Sequence, residues 1–531
     1  MSIPHEARPT RRQVLKQSGL ISAAAALLPL SAASEAPTEP SAKFTHGTDA
    51  ENLFTQIGVR PIINAMGTYT IITGSRSLPE VKQAMYAASF YFVQLDELMG
   101  AVGREIAKLM GAPGAIVTTG CEAAIALATV ACCCGTDPEL SQAFPYRKRR
   151  GKVIIPRHSR NPYDFGVRMT GIEIVEIDSE QELHDKLTDE VAMIYIMSSP
   201  KAQAGPLSIP NICAYAKTKG VPVFVDAAAE EPLSPNVHIL NGATLVGYSG
   251  GKCMRGPQAA GILLGDPELV NAAWFQAAPH HNFGRALKVG KEEIMGMLAA
   301  VRQWYQRDHE AEQRMWRSWL STIESRLKNV PSLTTKYEEP EDLSNRAPTL
   351  VISWDGNVLN VTGTEVVRQL DEGTPRIMVG NGAGTRPAPM ESSVRIMPYM
   401  MDADDVPMLT SALYNALMHP PHYDNPPAST SETANVAGHW TFDFRFTRGS
   451  SQQVIELQQS GNVVTGTQHG EVYDAAIQGS VRGNLLSLRS RMKVGGNKIQ
   501  WDFTGTVADN AASGIVGLGE FGQAKWTAVR G

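Results

Sequence analysis

The sequence is short of several things. Its 531 residues include only six cysteines. Three of them, Cys132, Cys133 and Cys134, are adjacent within an apolar helical pattern, and neighbouring positions on a helix face different ways, so they are poorly placed to pair. There is no C-x-x-C and no zinc spacing. A disulfide framework is therefore not expected, and the cysteines read as small buried apolar residues. His280-His281 and the pair His419 and His422 lack a third ligand at a recognisable spacing, so no metal is expected. Charge of one sign is also missing: 48 basic residues stand against 53 acidic ones, a net charge of -5. Nucleic-acid sites need a positive face to displace counterions, so no nucleic-acid partner is expected. The basic run Arg147, Lys148, Arg149 and Arg150 reads as a solvated loop. No internal repeat is visible, and no segment beyond the N-terminus approaches the roughly 20 apolar residues that a membrane span needs. What is present is an ordinary globular composition, 43% hydrophobic. At roughly 100 to 200 residues per domain, the length allows two to four domains.

The N-terminal stretch is distinctive. Thr10-Arg11-Arg12-Gln13-Val14-Leu15-Lys16 precedes a short apolar run from Gly19 to Leu30, and small residues cluster at Ser31, Ala32 and Ala33. Charged, apolar and cleavage regions in that order make residues 1–33 a signal peptide, with cleavage expected after Ala33. Its paired arginines resemble a twin-arginine export signal, so the export machinery is an expected partner and the periplasm, or otherwise outside the cytoplasm, the expected location. Residues 34–50 read as a spacer.

The middle of the chain, 51–328, alternates strands and helices. Pro79 to Met110 carries helical apolar spacing and stops at Gly111-Ala112-Pro113-Gly114. Short apolar strands are expected over Ala115 to Thr118, Val153 to Ile155, Ile172 to Ile177, Ala192 to Met197 and Val221 to Val225, with a helix over Cys121 to Cys134. Continuously apolar strands alternating with helices predict an α/β fold with a mostly parallel sheet covered on both faces. Residues 329–418 change character and predict a smaller α+β domain. There Leu350 to Trp354 and Val394 to Met397 read as strands, and Val361 to Leu370 and Ala403 to Leu417 as helices. Gly380-Asn381-Gly382-Ala383-Gly384 reads as a plain loop, because no β-α-β unit surrounds it. Residues 419–437 have a linker composition. From Gly438 to the end, period-two segments such as Trp440 to Phe446 are separated by turn signals at Ser460-Gly461-Asn462, Gly483-Asn484 and Gly495-Gly496-Asn497. That pattern predicts an antiparallel meander closed as a small barrel or sandwich.

Three features converge on one chemistry. Val221-Pro222-Val223-Phe224-Val225 ends in Asp226, at the carboxyl end of a buried strand, where open α/β sheets bind ligands. Ala243 to Tyr248 leads into Ser249-Gly250-Gly251-Lys252, which lets the lysine amine project into the same crevice. Thr118-Thr119-Gly120-Cys121 joins a strand to a helix whose first N–H groups suit a phosphate. Singly, each is a common turn or cap. Together they supply what pyridoxal phosphate requires: an amine for the Schiff base, an acid for the pyridine nitrogen and a phosphate cradle.

Val225-Asp226-Ala227-Ala228-Ala229-Glu230, Tyr248 to Gln258 and Gly284-Arg285-Ala286-Leu287-Lys288-Val289-Gly290-Lys291-Glu292 also resemble the selenocysteine-synthase-like group of fold-type-I pyridoxal-phosphate enzymes. That group includes the D-glucosaminate-6-phosphate ammonia-lyases. The likeness runs from about Leu53 to about Leu417 and is most specific from Ser249 to Gln258. It implies that Lys252 is the Schiff-base lysine and Asp226 the pyridinium partner. Thr119, Gly120, Cys121 and Ser249 would contact the phosphate. His158 would lie against the cofactor ring, though as a residue it reads equally as a core or surface histidine. The resemblance further implies a homodimer or higher homo-oligomer with active sites between subunits. A basic tRNA-binding domain is absent, which argues against a tRNA substrate. The C-terminal β region is no part of the common pattern. Export of a folded, cofactor-loaded protein also accords with the scarcity of cysteine.

The expected reaction starts with loss of a proton from the α carbon of an amino substrate, with Lys252 as general base. A leaving group on the β carbon would make the enzyme an ammonia-lyase acting on an amino acid or amino sugar acid. Transamination and racemisation stay open, as does an inactive fold serving as a binding protein. A substrate carboxylate calls for an arginine fork, for which Arg285, Arg376 and Arg395 are candidates, each of which also reads as a salt-bridge partner or part of a solvated face.

Overall fold

The computed structural model of the chain describes residues 52–386, 391–425 and 433–531. The expected signal peptide and spacer, and the centre of the expected linker, lie outside the described residues. The chain divides into two compact units, Met1–Pro61 and Ile62–Gly531. In the first, Asn52 caps a short helix, Leu53–Gln56, by accepting from the Phe54 N–H.

The second unit opens on strand β1 (Ile62–Ala65). Where the apolar spacing predicts one helix over 79–110, two form: α1 (Pro79–Ser89) and α2 (Leu95–Met110). Gln94 accepts from the Glu97 N–H and starts α2 afresh. The break leaves Phe90, Tyr91, Phe92 and Val93 exposed. Met99, Val102, Ile106 and Met110 form the buried stripe of α2, which ends on Gly111 in the left-handed conformation.

Seven strands then build the large sheet, with α3 (Cys121–Cys134) following the first: β2 (Gly114–Thr118), β3 (Lys152–Pro156), β4 (Glu173–Ile177), β5 (Val191–Met197), β6 (Val223–Asp226), β7 (Leu245–Ser249) and β8 (Gly261–Gly265). Their order is β2-β8-β7-β6-β5-β3-β4. β4, β3, β5, β6 and β7 run parallel. β8, absent from the sequence reading, runs antiparallel to both of its neighbours. Strand residues such as Val191 to Ile196 are buried throughout, as a sheet covered on both faces requires. Helix α4 (Lys291–Trp304) packs on α1, where Gly296 leaves room for Met85, and α5 (His309–Leu327) leads away.

The smaller domain holds β9 (Thr334–Glu338), β10 (Thr349–Asp355), α6 (Gly363–Glu372), β11 (Arg376–Ala383), β12 (Glu391–Ile396) and α7 (Asp405–Met418). Its sheet has the order β1-β11-β12-β10-β9. Two expectations need correction. The boundary near 329 is not clean, because Ile63 and Ala65 of β1 and Leu320, Ile323 and Leu327 of α5 lie in the core of the smaller domain. Gly380 to Ala383 is not a loop but the end of β11. Its glycines answer to packing, since a Cβ at Gly380 would come within 2.8 Å of the Arg395 Cβ, and one at Gly382 would overlap the Gly363 carbonyl.

The C-terminal region is a closed antiparallel barrel of eight strands. They are β13 (Gly438–Arg445), β14 (Ser450–Ser460), β15 (Val463–His469), β16 (Asp474–Arg482), β17 (Leu485–Val494), β18 (Asn497–Ala508), β19 (Ala511–Gly517) and β20 (Gln523–Arg530). Pairing of β13 with β20 closes it. Trp440, Phe442, Phe444, Phe503 and Trp526 fill the interior, with Phe442 and Trp526 ring centroids 5.0 Å apart.

Candidate active site

A crevice lies at the carboxyl ends of β6 and β7, beside the start of α3, where such sheets bind ligands. A cleft of about 460 Å³ lies there, lined by Asp226, Ser249, Lys252, Thr119, Gly120 and Cys121. These six expected residues, distant in sequence, are brought together. The loop after β1 adds Tyr69, the connection between β7 and β8 adds Gln258, and the smaller domain adds Asn345.

Asp226 is 4% exposed. Tyr195 donates its hydroxyl to Asp226 Oδ2 at 2.7 Å, Cys121 donates its thiol to Oδ1 at 3.5 Å, and the Ala228 N–H donates to Oδ1 at 3.1 Å. Burial, and then the Asp226 charge itself, push the Tyr195 hydroxyl and the Cys121 thiol well above their usual ranges. Both thus stay protonated and leave the carboxylate as acceptor. Behind Tyr195, Asn161 Nδ2 donates to its hydroxyl at 3.0 Å.

Lys252 sits on a turn made tight by glycine. A Cβ at Gly250 would meet Met297 Sδ at 2.5 Å, and one at Gly251 would meet Gln258 Cα at 2.7 Å. Arg307 Nη1 donates to the Cys253 carbonyl and steadies the far side of the turn. The Lys252 Nζ stands 5.7 Å from the centre of the Tyr163 ring, a cation–π approach.

The first turn of α3 is open. Gly120 precedes it at φ +93° with no side-chain cap, and a Cβ there would meet nothing within 4 Å. The leading N–H groups of a helix have no intrahelical partner. Gly261 of β8 presses on this turn from behind, where a Cβ would lie 2.5 Å from the Gly120 carbonyl carbon. These features fit pyridoxal phosphate: a cradle of unspent N–H groups, an amine on a rigid turn and a buried carboxylate face one space.

Other expectations are placed elsewhere. His158 is half-buried outside the cleft, its Nε2 without a hydrogen-bond partner, and burial followed by Lys201 lowers its pKa. The ring that faces Lys252 is Tyr163, five residues on. Arg285 is exposed on a loop outside the cleft. Arg376 pairs with Asp371 at 2.7 Å and Arg395 pairs with Glu338, both in the smaller domain. No arginine is among the described residues lining the cleft. Among the described residues, no group of three His, Cys, Asp or Glu could hold a metal. No described helix is long and apolar enough to cross a membrane.

Glu122, not among the residues expected from the sequence, faces the cleft from the second position of α3. Burial, and then Asp226, raise its pKa. Its signal was available: it is a lone acid inside an Ala-rich helix start. Tyr163 too had a signal, in the Asn161-Pro162-Tyr163-Asp164 turn just past the carboxyl end of β3.

No protein-family model matches the chain. Homologues include D-glucosaminate-6-phosphate ammonia lyase of Salmonella typhimurium, 28% identical over 301 residues, 55% of this chain and 79% of that protein. The 5'-C-glycyluridine monooxygenase-decarboxylase of a Streptomyces species is 26% identical over 337 residues, 61% of this chain and 83% of that protein. The L-seryl-tRNA(Sec) selenium transferase of Proteus mirabilis is 29% identical over 147 residues, 27% of each. The solved structure of a D-glucosaminate-6-phosphate ammonia-lyase superposes with a TM-score of 0.61 at 24% identity, covering 69% of this chain and 98% of that one. The fold is thus the fold-type-I architecture, with the closed barrel added, and the homologues are pyridoxal-phosphate-dependent enzymes.

Proposed function

We propose that this chain is an exported pyridoxal-phosphate-dependent lyase that releases ammonia from an amino acid or amino sugar acid. The observation that carries the reading is the convergence of Asp226, Lys252 and the open first turn of α3 on one cleft. Thr119, Gly120, Cys121 and Ser249 would hold the cofactor's phosphate, Asp226 its ring nitrogen and Lys252 its carbonyl carbon. When bound, the cofactor supplies a ring that draws electrons from the substrate's α carbon.

The chain's own groups supply the proton transfers. Lys252 takes the proton at the α carbon. Tyr195 and Cys121 hold Asp226 in place as an acceptor. Glu122, with its raised pKa, keeps a proton further towards neutral pH and can deliver it to the departing β substituent. Among the described residues no arginine lines the cleft, so a cation for the substrate carboxylate would come from outside it. A second copy of the chain is our proposed source, and the exposed run Phe90 to Val93 offers the apolar surface for that association.

The test is a panel of amino acids and amino sugar acids followed for free ammonia and 2-keto acid. Ammonia with stoichiometric keto acid supports the lyase. Amino transfer to an added keto acid, with no free ammonia, would replace it with a transferase. Export is supported by Arg11 and Arg12 and by six cysteines that are all free. It is checked by replacing both arginines with lysine and locating the full chain: retention in the cytoplasm supports the twin-arginine route, whereas unchanged location excludes it.

A further inference from the structure

The barrel meets the catalytic domain through a turn whose glycine has no local explanation. Four of its hairpins close with two residues: Gly461-Asn462, Gly483-Asn484, Gly495-Gly496 and Asp509-Asn510. Three end in asparagine, so the second position of such a turn accepts a side chain. Gly496 breaks that pattern although its φ is outside the left-handed region that favours glycine. The reason lies across the interface. A Cβ on Gly496 would overlap the backbone of Asn161, and one on Gly495 would lie 2.5 Å from the Arg160 guanidinium and 3.6 Å from that of Arg168.

The segment under this turn leads straight to the cleft. Arg160 is buried between Asp164, at 2.5 Å, and Glu176. Asn161 accepts from the Tyr163 N–H at 2.7 Å, which fixes the residue whose ring faces Lys252. Its Nδ2 donates to the Tyr195 hydroxyl, which donates to Asp226. Two hydrogen bonds therefore separate Asn161, on which the barrel turn rests, from the carboxylate at the base of the cleft.

We propose that the Gly495-Gly496 turn is a brace, and that Gly496 and Asn161 are positioning residues setting Tyr163 directly and Asp226 through Tyr195. The barrel thereby tunes the cofactor pocket without touching it. This inference rests on the pyridoxal-phosphate reading for its catalytic consequence, but the brace itself is independent of cofactor.

The variant that tests it is Gly496→Asn in the full chain, which gives the turn the same Gly-Asn pair as two of its three siblings and so leaves barrel closure intact. Asn484→Gly, the reverse change in a sibling turn, is the control. In cofactor-free protein, Gly496→Asn should speed hydrogen exchange over residues 157–165, while the control leaves it unchanged. In loaded protein, it should shift the pH midpoint of the cofactor's absorbance, and Asn161→Ala should shift it the same way with the barrel's melting unaltered. Turnover should fall by roughly 10- to 100-fold, as expected when a remote change misplaces catalytic groups by about 1 Å. Wild-type exchange in Gly496→Asn overturns the brace. Faster exchange with an unmoved absorbance midpoint in both variants overturns the positioning role. A wild type that binds no pyridoxal phosphate sinks the cofactor reading instead, leaving the exchange result to decide the brace alone.

Discussion

The cleft and the barrel interior are both enclosed by strands, and they are finished in opposite ways. Every barrel strand has two neighbours, and its inward positions carry Trp440, Phe442, Phe444, Phe503 and Trp526, packed to a solid core. The parallel strands of the large sheet stop at a common edge, and there the chain leaves groups unspent: the Lys252 amine, the first N–H groups of α3 and one wall of glycine. Closure consumes bonding capacity and gives stability. An open edge keeps it available for a ligand. The same residue type serves both: glycine at 250, 251 and 120 shapes the cleft, and glycine at 495 and 496 seats the barrel turn.

That contrast predicts which changes hurt chemistry and which hurt folding. Lys252→Ala should lose roughly 10²–10⁴-fold or more in turnover, the range for removing a positioned acid–base group, with an unchanged melting curve. Substantial remaining ammonia release would break the assignment. Asp226→Asn comes next, at roughly 10²–10³-fold, because it removes the charge that faces the cofactor while keeping the shape that Tyr195 and Cys121 hold. Its check is the absorbance spectrum with turnover on the same sample. In the barrel the sign of the comparison reverses. Trp526→Ala should cost about 3–5 kcal/mol of barrel stability in denaturant unfolding, since Trp526 is 1% exposed and deep in the aromatic core. Tyr163→Ala, at a residue 48% exposed, should leave stability nearly unchanged yet alter the cofactor spectrum. Equal stability losses for the two would erase the distinction.

The smallest effect is on pH. Glu122 has its pKa raised by burial and then by Asp226. A raised carboxyl binds more protons folded than unfolded, so its contribution to stability falls as pH rises from its unfolded value through its folded one. Glu122→Gln should therefore flatten the decline in stability above the ordinary glutamate range. It should also remove the high-pH limb of the activity profile if Glu122 delivers the proton. An activity profile identical to wild type would exclude that role.

Much of this was legible in the sequence where local signals coincide. Helix α3 was bounded at Cys121 and Cys134 because Gly120 and Gly135 bracket a run of Ala, Cys and other apolar residues. Asp226 and Lys252 stood out because each follows a buried strand, and the fold puts both strand ends in one cleft. The barrel was visible in its period of two and its turns, although closure against a sandwich depends on β13 meeting β20, some 80 residues on, which alternation does not encode. What was not legible depends on tertiary neighbours. Gly380 and Gly382 read as a loop, yet they are in β11 because Arg395 and the start of α6 press against it. Arg376 and Arg395 are candidates for a substrate carboxylate or for salt bridges in the sequence, and only their tertiary partners, Asp371 and Glu338, decide for the salt bridges. The sequence points to His158 rather than Tyr163, because the side chain that turns towards Lys252 is fixed by the Asn161 cap, a contact invisible in composition.

The central claim is that Lys252 and Asp226 hold pyridoxal phosphate in this cleft. The most direct measurement is borohydride reduction of the purified full chain, followed by digestion and mass mapping of the modified peptide. The expected result is a yellow absorbance band that bleaches, with the pyridoxyl mass on Lys252 alone. A protein that stays colourless and unmodified after incubation with pyridoxal phosphate, or a label on another lysine, would contradict it.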